Sequence, residues 1–293
     1  MTSDSSWAGS RNGLQGFRWQ LRRGIRFVRG GGPGLMILLF LALVALLPSL
    51  FATHSPVQIS PLERLQPPST EHLFGTDHLG RDTYSRVVYG ARVSIWASLR
   101  VVVSAGLFGT LFGAVSGLYG GSVDRVMMRV VDVFLAFPYL ILAMGIAALL
   151  GRSLENAIIG LAMVWWAQYG RLVRNKVVSL RGQAYVTSAR ALGATQLRLM
   201  FRHILPNTMT PVFVKASLDM GQAILATASL SFIGLGAAPP SPEWGAMITE
   251  SRSYILDAWW LPTFPGLGIF LAVLGFNMVG DSMRDLIDPR SGS

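Results

Sequence analysis

The 293-residue sequence contains no cysteine. That excludes a disulfide framework, a thiolate metal site and a cysteine nucleophile. Charge is sparse: 14% of residues are Asp, Glu, Lys or Arg, against about 25% in a soluble globular domain. Lysine is nearly absent, since Lys176 and Lys215 stand among 25 basic residues of which the rest are arginine. No Gly-x-x-x-x-Gly-Lys-Ser/Thr phosphate loop occurs, so ATP binding of that kind is excluded. A net charge of +10 would suit nucleic acid only if the basic residues gathered on one soluble face. They fall instead in short stretches between apolar runs, which argues against a nucleic-acid partner.

What the sequence does have is apolar length. Hydrophobic residues make up 51% of the chain and the mean hydropathy is +0.46. A bilayer core needs about 20 mostly apolar residues per helix, and runs of that kind lie at 33–52, 101–119, 130–150, 157–173, 211–235 and 261–279. The first lacks a small-residue cleavage site and is long for a signal sequence, so it is expected to be retained as a helix. Gly109, Gly113, Pro138, Gly145 and Gly275 interrupt the runs. Membrane helices tolerate them because neighbouring helices re-satisfy the backbone and small residues permit close approach.

Arginine placement orients the six crossings. Arg11, Arg18, Arg22, Arg23, Arg26 and Arg29 precede the first run; Arg125 and Arg129 lie between the second and third. Arg174, Lys176, Arg181, Arg190, Arg198 and Arg202 lie between the fourth and fifth. The other side mixes signs: Glu63, Glu71, Asp77 and Asp82 offset Arg64, Arg81, Arg86 and Arg92, and Glu243, Glu250 and Asp257 face Arg252. Both termini are expected in the cytoplasm. Arg100 falls at the outer end of the second helix, within snorkelling reach of the interface.

Three segments between the runs carry more pattern than a simple connection needs. From His72 to Asp82, Gly75 and Gly80 supply turns, and Asp82 and Arg86 have the spacing of a helix-surface pair. His72, His78 and Asp77 are metal-ligand types, but their spacing matches no common site. From Ala184 to Asn207, a short helix is expected to end at Gly193 and a second to stop at Pro206, making either an interfacial helix or a docking surface for a soluble partner. From Ser229 to Gly245, glycine and proline density predicts an irregular extracytoplasmic segment after the fifth helix.

These segments, in this order, resemble the peptide/nickel branch of ABC importer permeases, and within it the second, C-type subunit of dipeptide, oligopeptide and nickel systems. The resemblance rests on Gly75-Thr76-Asp77-His78-Leu79-Gly80-Arg81-Asp82, Tyr119-Gly120-Gly121 through Met128-Arg129-Val130-Val131-Asp132, the Ala189 to Gly193 loop, Leu230 to Gly236 and Pro242-Glu243-Trp244-Gly245. Asn277, Gly280-Asp281, Arg284-Asp285 and Asp288-Pro289 complete it, so that it covers about 33–290. The family's cytosolic motif runs Glu-Ala-Ala, three residues, Gly, nine residues, Ile-x-Leu-Pro. Ala189, Gly193, Leu205 and Pro206 match it, whereas Thr187 and Ser188 replace the Glu and the first Ala, and His203 stands at the Ile position.

The resemblance implies an all-α integral membrane protein with six transmembrane helices in the type I importer, MetI-like permease fold. It implies a bacterial inner-membrane location, a second homologous permease subunit completing a heterodimeric pore, two ATP-binding subunits on the cytoplasmic face and an extracytoplasmic solute-binding protein. No cofactor is expected on this chain; ATP and Mg²⁺ belong to the partners. The organisation then reads as a basic tail 1–32, a first helix 33–52, an extracytoplasmic loop 53–94, a five-helix core 95–283 with an ATPase-coupling loop at about 174–210, and a tail 284–293. Thr187, Ser188, Ala189, Gly193, Leu205 and Pro206 are the coupling candidates.

Two other classes compete with a pore subunit: an intramembrane enzyme and a membrane scaffold. An enzyme needs paired carboxylates, a His–Glu zinc motif or a nucleophile–base pair at membrane depth. Asp132 and Asp281 sit near cytoplasmic helix ends. Lys215 and Asp219, four residues apart on the fifth helix, are either an internal ion pair or part of a solute path. A scaffold is disfavoured by the lack of a sizeable soluble domain. The solute itself is open among peptides, glutathione-like compounds and metal chelates, nickel included.

Overall fold

The computed structural model describes residues 30–287. The arginines from Arg11 to Arg29, Asp288-Pro289 and the ends of both tails lie outside the described residues. Helices α1 (Gly30–Leu46) and α2 (Pro48–Phe51) are followed by a turn-rich stretch with a 3-10 turn at Pro61–Glu63. Next come α3 (Thr83–Tyr119), α4 (Gly121–Ala136), α5 (Tyr139–Leu150) and α6 (Leu154–Arg181). A short α7 (Ala184–Ala191), α8 (Gln196–Arg198) and a π turn (Leu199–Ile204) lead into α9 (Leu205–Phe232). The chain closes with α10 (Trp244–Ser251) and α11 (Trp260–Ile287).

Glycines set the helix spacing and reveal its direction. A side chain on Gly109 would strike Trp166 and Tyr169, one on Gly113 would strike Gly170 and Arg174, and one on Gly117 would strike Val177. So α3 and α6 run parallel in near backbone contact, as small residues allow. Gly221 faces Asn277 and Gly280 faces Leu218, which makes α9 antiparallel to α11; Gly34 against Met278 and Gly275 against Leu38 do the same for α1 and α11. Through α1, α3, the α4–α5 pair, α6, α9 and α11, the described chain passes along the bundle in alternating directions. Residues 119–121 and 181–206 gather at one end; residues 47–82, 151–153 and 233–259 gather at the other. The core between α3, α6 and α9 is filled by Trp165, Trp166 and Tyr169, and a second cluster centres on Trp244 with Leu41, Ala228 and Ala272.

Several boundaries differ from the sequence reading. Residues 83–94 belong to α3 rather than to the preceding loop, because Asp82 caps the helix by accepting from the Ser85 N–H at 2.8 Å. The 130–150 run is broken: Phe137 is extended (φ −96°, ψ 146°), as a residue before proline tends to be, and α4 and α5 meet at 91°. The first run is likewise interrupted at Leu47, ahead of Pro48. Pro206 does not stop a helix but opens one, in the first turn of α9, where its missing N–H costs nothing. Asp82 and Arg86 do not form the side-chain pair that their spacing suggested, because the cap uses Asp82 and Arg86 turns toward Glu250.

Of the described helices, α3 and α11 are individually long and apolar enough to cross a membrane, and the α4–α5 pair meets that standard jointly. Helix α1 is apolar but shorter. Helices α6 and α9 reach 28 residues each, but Glu155, Arg171, Arg174 and Lys176 on one and Lys215 and Asp219 on the other reduce their apolarity.

Candidate functional site

Three clusters of polar or exposed groups stand out against the apolar bundle, one midway along it and one at each end.

The first joins α6 to α9. Lys215 Nζ lies 3.0 Å from Asp219 Oδ2, one helical turn away, and donates to Gln168 Oε1 at 3.0 Å. Its ammonium also sits 5.2 Å from the centre of the Tyr169 ring, a cation–π distance. The pair is largely shielded, with side-chain exposures of 23% for Lys215 and 10% for Asp219. A lone charge at this depth would be costly, and mutual pairing plus the Gln168 amide offsets that cost. Next to it, α3 and α9 line an open apolar groove of about 660 Å³. Gly106, Thr110, Tyr169, Phe201, Met209 and Phe213 are among its lining residues. The Thr110 hydroxyl is buried and forms no hydrogen bond, and the Tyr169 hydroxyl is buried beside Asp219. Gln168 and Tyr169 escaped the sequence reading. The available signal was a polar residue, Gln168, inside an otherwise apolar run.

The second cluster is the 182–206 segment. Gly193 has φ +82°, a conformation that glycine adopts without strain. The chain reverses there, with Gly193 N–H on Arg190 O and Ala194 N–H on Ala189 O, both within 3.1 Å. This is the turn between two short helices that the sequence called for. Val186, Leu199 and Ile204 anchor the segment, each fully buried. Its other face is unusually apolar for a surface: Leu192 is 89% exposed, Leu197 64% and Phe201 57%. Thr187, at the position of the family's Glu, donates its hydroxyl to Ala184 O at 2.9 Å and so turns back into its own helix. Ser188 and Pro206 are exposed, while Ala189 and Leu205 are half-buried. Behind this segment Asp124 accepts from Arg174 and from the Ser116 hydroxyl (2.6 Å), tying α4 to α6 and α3. The Arg174 guanidinium holds the Asp124 carboxyl below the usual carboxylate range, and Asp124 in turn raises Arg174.

At the opposite end the 72–86 stretch folds onto α10. Arg81 contacts Asp77 at 2.5 Å and Glu250 at 2.6 Å, and Arg86 contacts Glu250 at 3.2 Å. Both arginines are at most 2% exposed. Burial, and then the neighbouring Arg81, push the Arg86 guanidinium down from its ordinary value, while Glu250 and Asp77 oppose this. Glu243 caps α10 through the Gly245 and Ala246 N–H groups at 3.0 and 2.8 Å. The structure separates His72 from Asp77 and His78: His72 bonds Asp82 at 2.9 Å, whereas Asp77 and His78 lie together near Glu250, with His78 stacked on Tyr254 and Asp77 paired with the arginines. Arg100 pairs with Glu155 at 2.7 Å where α3 passes the start of α6. Sequence spacing could not reveal the link from Arg81 to Glu250.

Residues 109–293 match the family model described as "binding-protein-dependent transport system inner membrane component". The chain is 47% identical to the dipeptide transport system permease protein DppC of Alkalihalophilus pseudofirmus, over 89% of this chain and 86% of that protein. It is also 47% identical to the probable D,D-dipeptide transport system permease protein DdpC of Escherichia coli, over 88% and 86%. Among solved structures, the inward-facing MetNI methionine ABC transporter has a chain that superposes with a TM-score of 0.51 at 21% identity. The match covers 67% of this chain and 95% of that one, and it shows a common MetI-like permease fold. Such chains are non-enzymatic membrane subunits of ABC importers, so the intramembrane-enzyme reading of the chain falls away. By motif order, by fold and by identity across most of its length, the chain belongs to the family of binding-protein-dependent transport system inner membrane components.

Proposed function

We propose that this chain forms one half of the transmembrane pore of an ATP-driven importer whose solutes are dipeptides or close chemical relatives. The observation that carries the solute class is the 47% identity, over nearly the whole chain, to a dipeptide permease. In this reading the polypeptide crosses the inner membrane six times, with both termini in the cytoplasm. The alternating helix directions support it, as does the gathering of Arg125, Arg129, Arg174, Arg181, Arg190, Arg198 and Arg202 at a single end of the bundle. Helix α9 falls short in apolarity because it carries the Lys215–Asp219 pair, which turns toward Gln168 of α6 rather than to lipid, and α6 because its charges lie at its two ends.

The partners follow from what the chain lacks. It has no phosphate loop, so ATP and Mg²⁺ act on two separate ATPase subunits that dock on the 182–206 segment, with Leu192, Leu197 and Phe201 as the apolar contact and Gly193 as its turn. A second homologous permease subunit completes the pore, and a solute-binding protein delivers cargo at the Arg81–Glu250 end. Lys215 and Asp219 border the solute path, where a paired cation and anion suit a zwitterionic backbone. The test is uptake of labelled dipeptides in a strain whose own dipeptide import has been deleted, supplied with this chain and its partner subunits. Dipeptide uptake that depends on this chain is expected. Normal membrane insertion with no dipeptide uptake would defeat the proposed solute class.

A further inference from the structure

Between α2 and α3 lies a cluster apart from the groups assigned above to the solute path and the ATPase contact. Glu63 ends the 3-10 turn Pro61–Glu63, and Glu71 and His72 follow in the turn-rich stretch. One carboxylate oxygen from each glutamate and one ring nitrogen of His72 lie within 4.8 Å of one another. All three residues border a cavity of about 180 Å³ that is also lined by His54 and Asp82.

The chemistry of His72 decides what this cluster does. The residue is 5% exposed, and its Nδ1 is 2.9 Å from Asp82 Oδ1. The other oxygen of Asp82 accepts from the Ser85 N–H at 2.8 Å. A carboxylate that accepts from both sides leaves Nδ1 as the donor, so the neutral ring carries its lone pair on Nε2. That atom makes no hydrogen bond and has Glu63 Oε2 at 3.8 Å. An imidazole held by a carboxylate at one nitrogen, with the other aimed at free carboxylates, is the arrangement that orients a metal-binding histidine. Neither Glu63 nor Glu71 is paired with an arginine or lysine among the described residues. The nearby Asp77, His78 and Glu250 group differs in that respect, since Arg81 and Arg86 already neutralise its carboxylates.

We propose that His72 Nε2, Glu63 and Glu71 bind a divalent transition-metal ion of the Zn²⁺ type, with Asp82 as the positioning residue. One imidazole nitrogen and two carboxylate oxygens form an N/O ligand set suited to such an ion, and the cavity admits water as a fourth ligand. Because Asp82 also caps α3, the ion fastens the 54–82 stretch to the start of that helix.

The experiment uses the full-length chain in detergent, co-purified with its partner subunits, stripped with chelator and titrated with Zn²⁺ against a chromophoric competitor. One Zn²⁺ per chain is expected, together with a rise in melting temperature on loading. The double variant Glu63→Gln/Glu71→Gln keeps the side-chain volumes and the buried His72–Asp82 contact. It should lose about 100-fold or more in affinity and all of the Zn²⁺-dependent rise, while melting without metal at or above the unliganded wild type. His54→Ala should bind normally. Absence of stoichiometric Zn²⁺ in the wild type, or unchanged affinity in the double variant, would overturn the proposal. So would loss of binding in His54→Ala alone, which would move the ion to the His54–His72–Asp82 group.

Discussion

The two ends of the bundle are built on opposite terms. At the end holding residues 47–82 and α10, charge is buried and matched within the chain: Arg81, Arg86, Asp77 and Glu250 close on one another, and Asp82 and Glu243 cap helices. At the end holding α7 and the π turn, Leu192, Leu197 and Phe201 stand in the open and the turn at Gly193 touches nothing across from it. Buried polar groups demand partners, and the first end finds most of them within the chain, with Glu250 Oε1 and Thr83 Oγ1 left without one. An exposed apolar patch implies a partner that covers it, and the second end presents one on a single short segment, while the first exposes Leu62 and Leu256 beside its buried charges. The same chain braces one end with buried charge and offers an apolar turn at the other.

Removing one partner from the buried network puts this comparison under the most strain. Glu250→Ala leaves Arg81 and Arg86 buried with one anion fewer, and it should cost about 3–5 kcal/mol, as breaking a buried ion pair does. Thermal unfolding of the detergent-solubilised chain reads this directly. The matching change at the other end, Leu192→Ala, should stay within about 0.5 kcal/mol yet weaken pull-down of the ATPase subunits. Comparable destabilisation by both would erase the distinction between the ends.

The Lys215–Asp219 pair should fall next in size. Lys215→Ala or Asp219→Ala leaves one charge at depth and should cost about 2–4 kcal/mol, while the double variant costs less than either single. Asp219→Asn should lower uptake with expression unchanged if Asp219 borders the solute path. Wild-type stability and uptake in all of these variants would remove the pair from both roles.

Gly193 isolates the coupling end. A Cβ there meets no atom within 4 Å, but φ is +82°, so Gly193→Trp carries backbone strain of about 1–3 kcal/mol together with bulk aimed outward at the partner. Gly193→Asn shares the tolerance for positive φ and adds little bulk. We expect Gly193→Trp to insert normally but to lose solute-stimulated ATP hydrolysis in reconstituted vesicles, with Gly193→Asn close to wild type. Normal stimulation with tryptophan would argue that the segment merely rests on lipid. Cysteine labelling checks the sidedness beneath this comparison: in the cysteine-free background, Ser69→Cys should react with an impermeant maleimide from outside intact cells, and Ser188→Cys should not.

The smallest effect concerns acid. The Arg174 guanidinium, aided by the Ser116 hydroxyl, depresses the folded-state pKa of Asp124. A depressed carboxyl adds stability above its unfolded pKa, near 4, and loses it as pH falls through the folded value. The contribution should be about 1 kcal/mol and should vanish in acid. Asp124→Asn should therefore be destabilised at neutral pH and show a flatter acid limb in melts followed against pH.

Much of this was legible because membrane burial leaves a coarse signature. The apolar runs located the long helices, the Gly193 turn declared itself through glycine, and Lys215 and Asp219 stood out as charges among apolar residues. Proline misled in both directions. Pro138 read as tolerable within a span, yet the helix breaks ahead of it; Pro206 read as a stop, yet it starts α9. A proline lacks an N–H and restricts the residue before it, which can end one helix or begin another. Which of these occurs depends on what the flanking turns pack against. Gln168 and Glu250 were missed for a related reason, as their partners lie 47 and 164 or more residues away.

The sequence by itself determined that this chain is helical and membrane-borne, that it carries no Gly-x-x-x-x-Gly-Lys-Ser/Thr phosphate loop, and which family it belongs to. These follow from composition, from the period of apolar runs and from short motifs, all of which act locally along the chain. Only the tertiary structure decided that α3 and α6 lie parallel in glycine-mediated contact, that Arg81 and Arg86 answer to Glu250, that Lys215 meets Gln168 and Tyr169, and that His72 turns one nitrogen to Asp82 and the other toward Glu63. Each of these depends on distances between residues far apart in sequence, and those distances are fixed by packing.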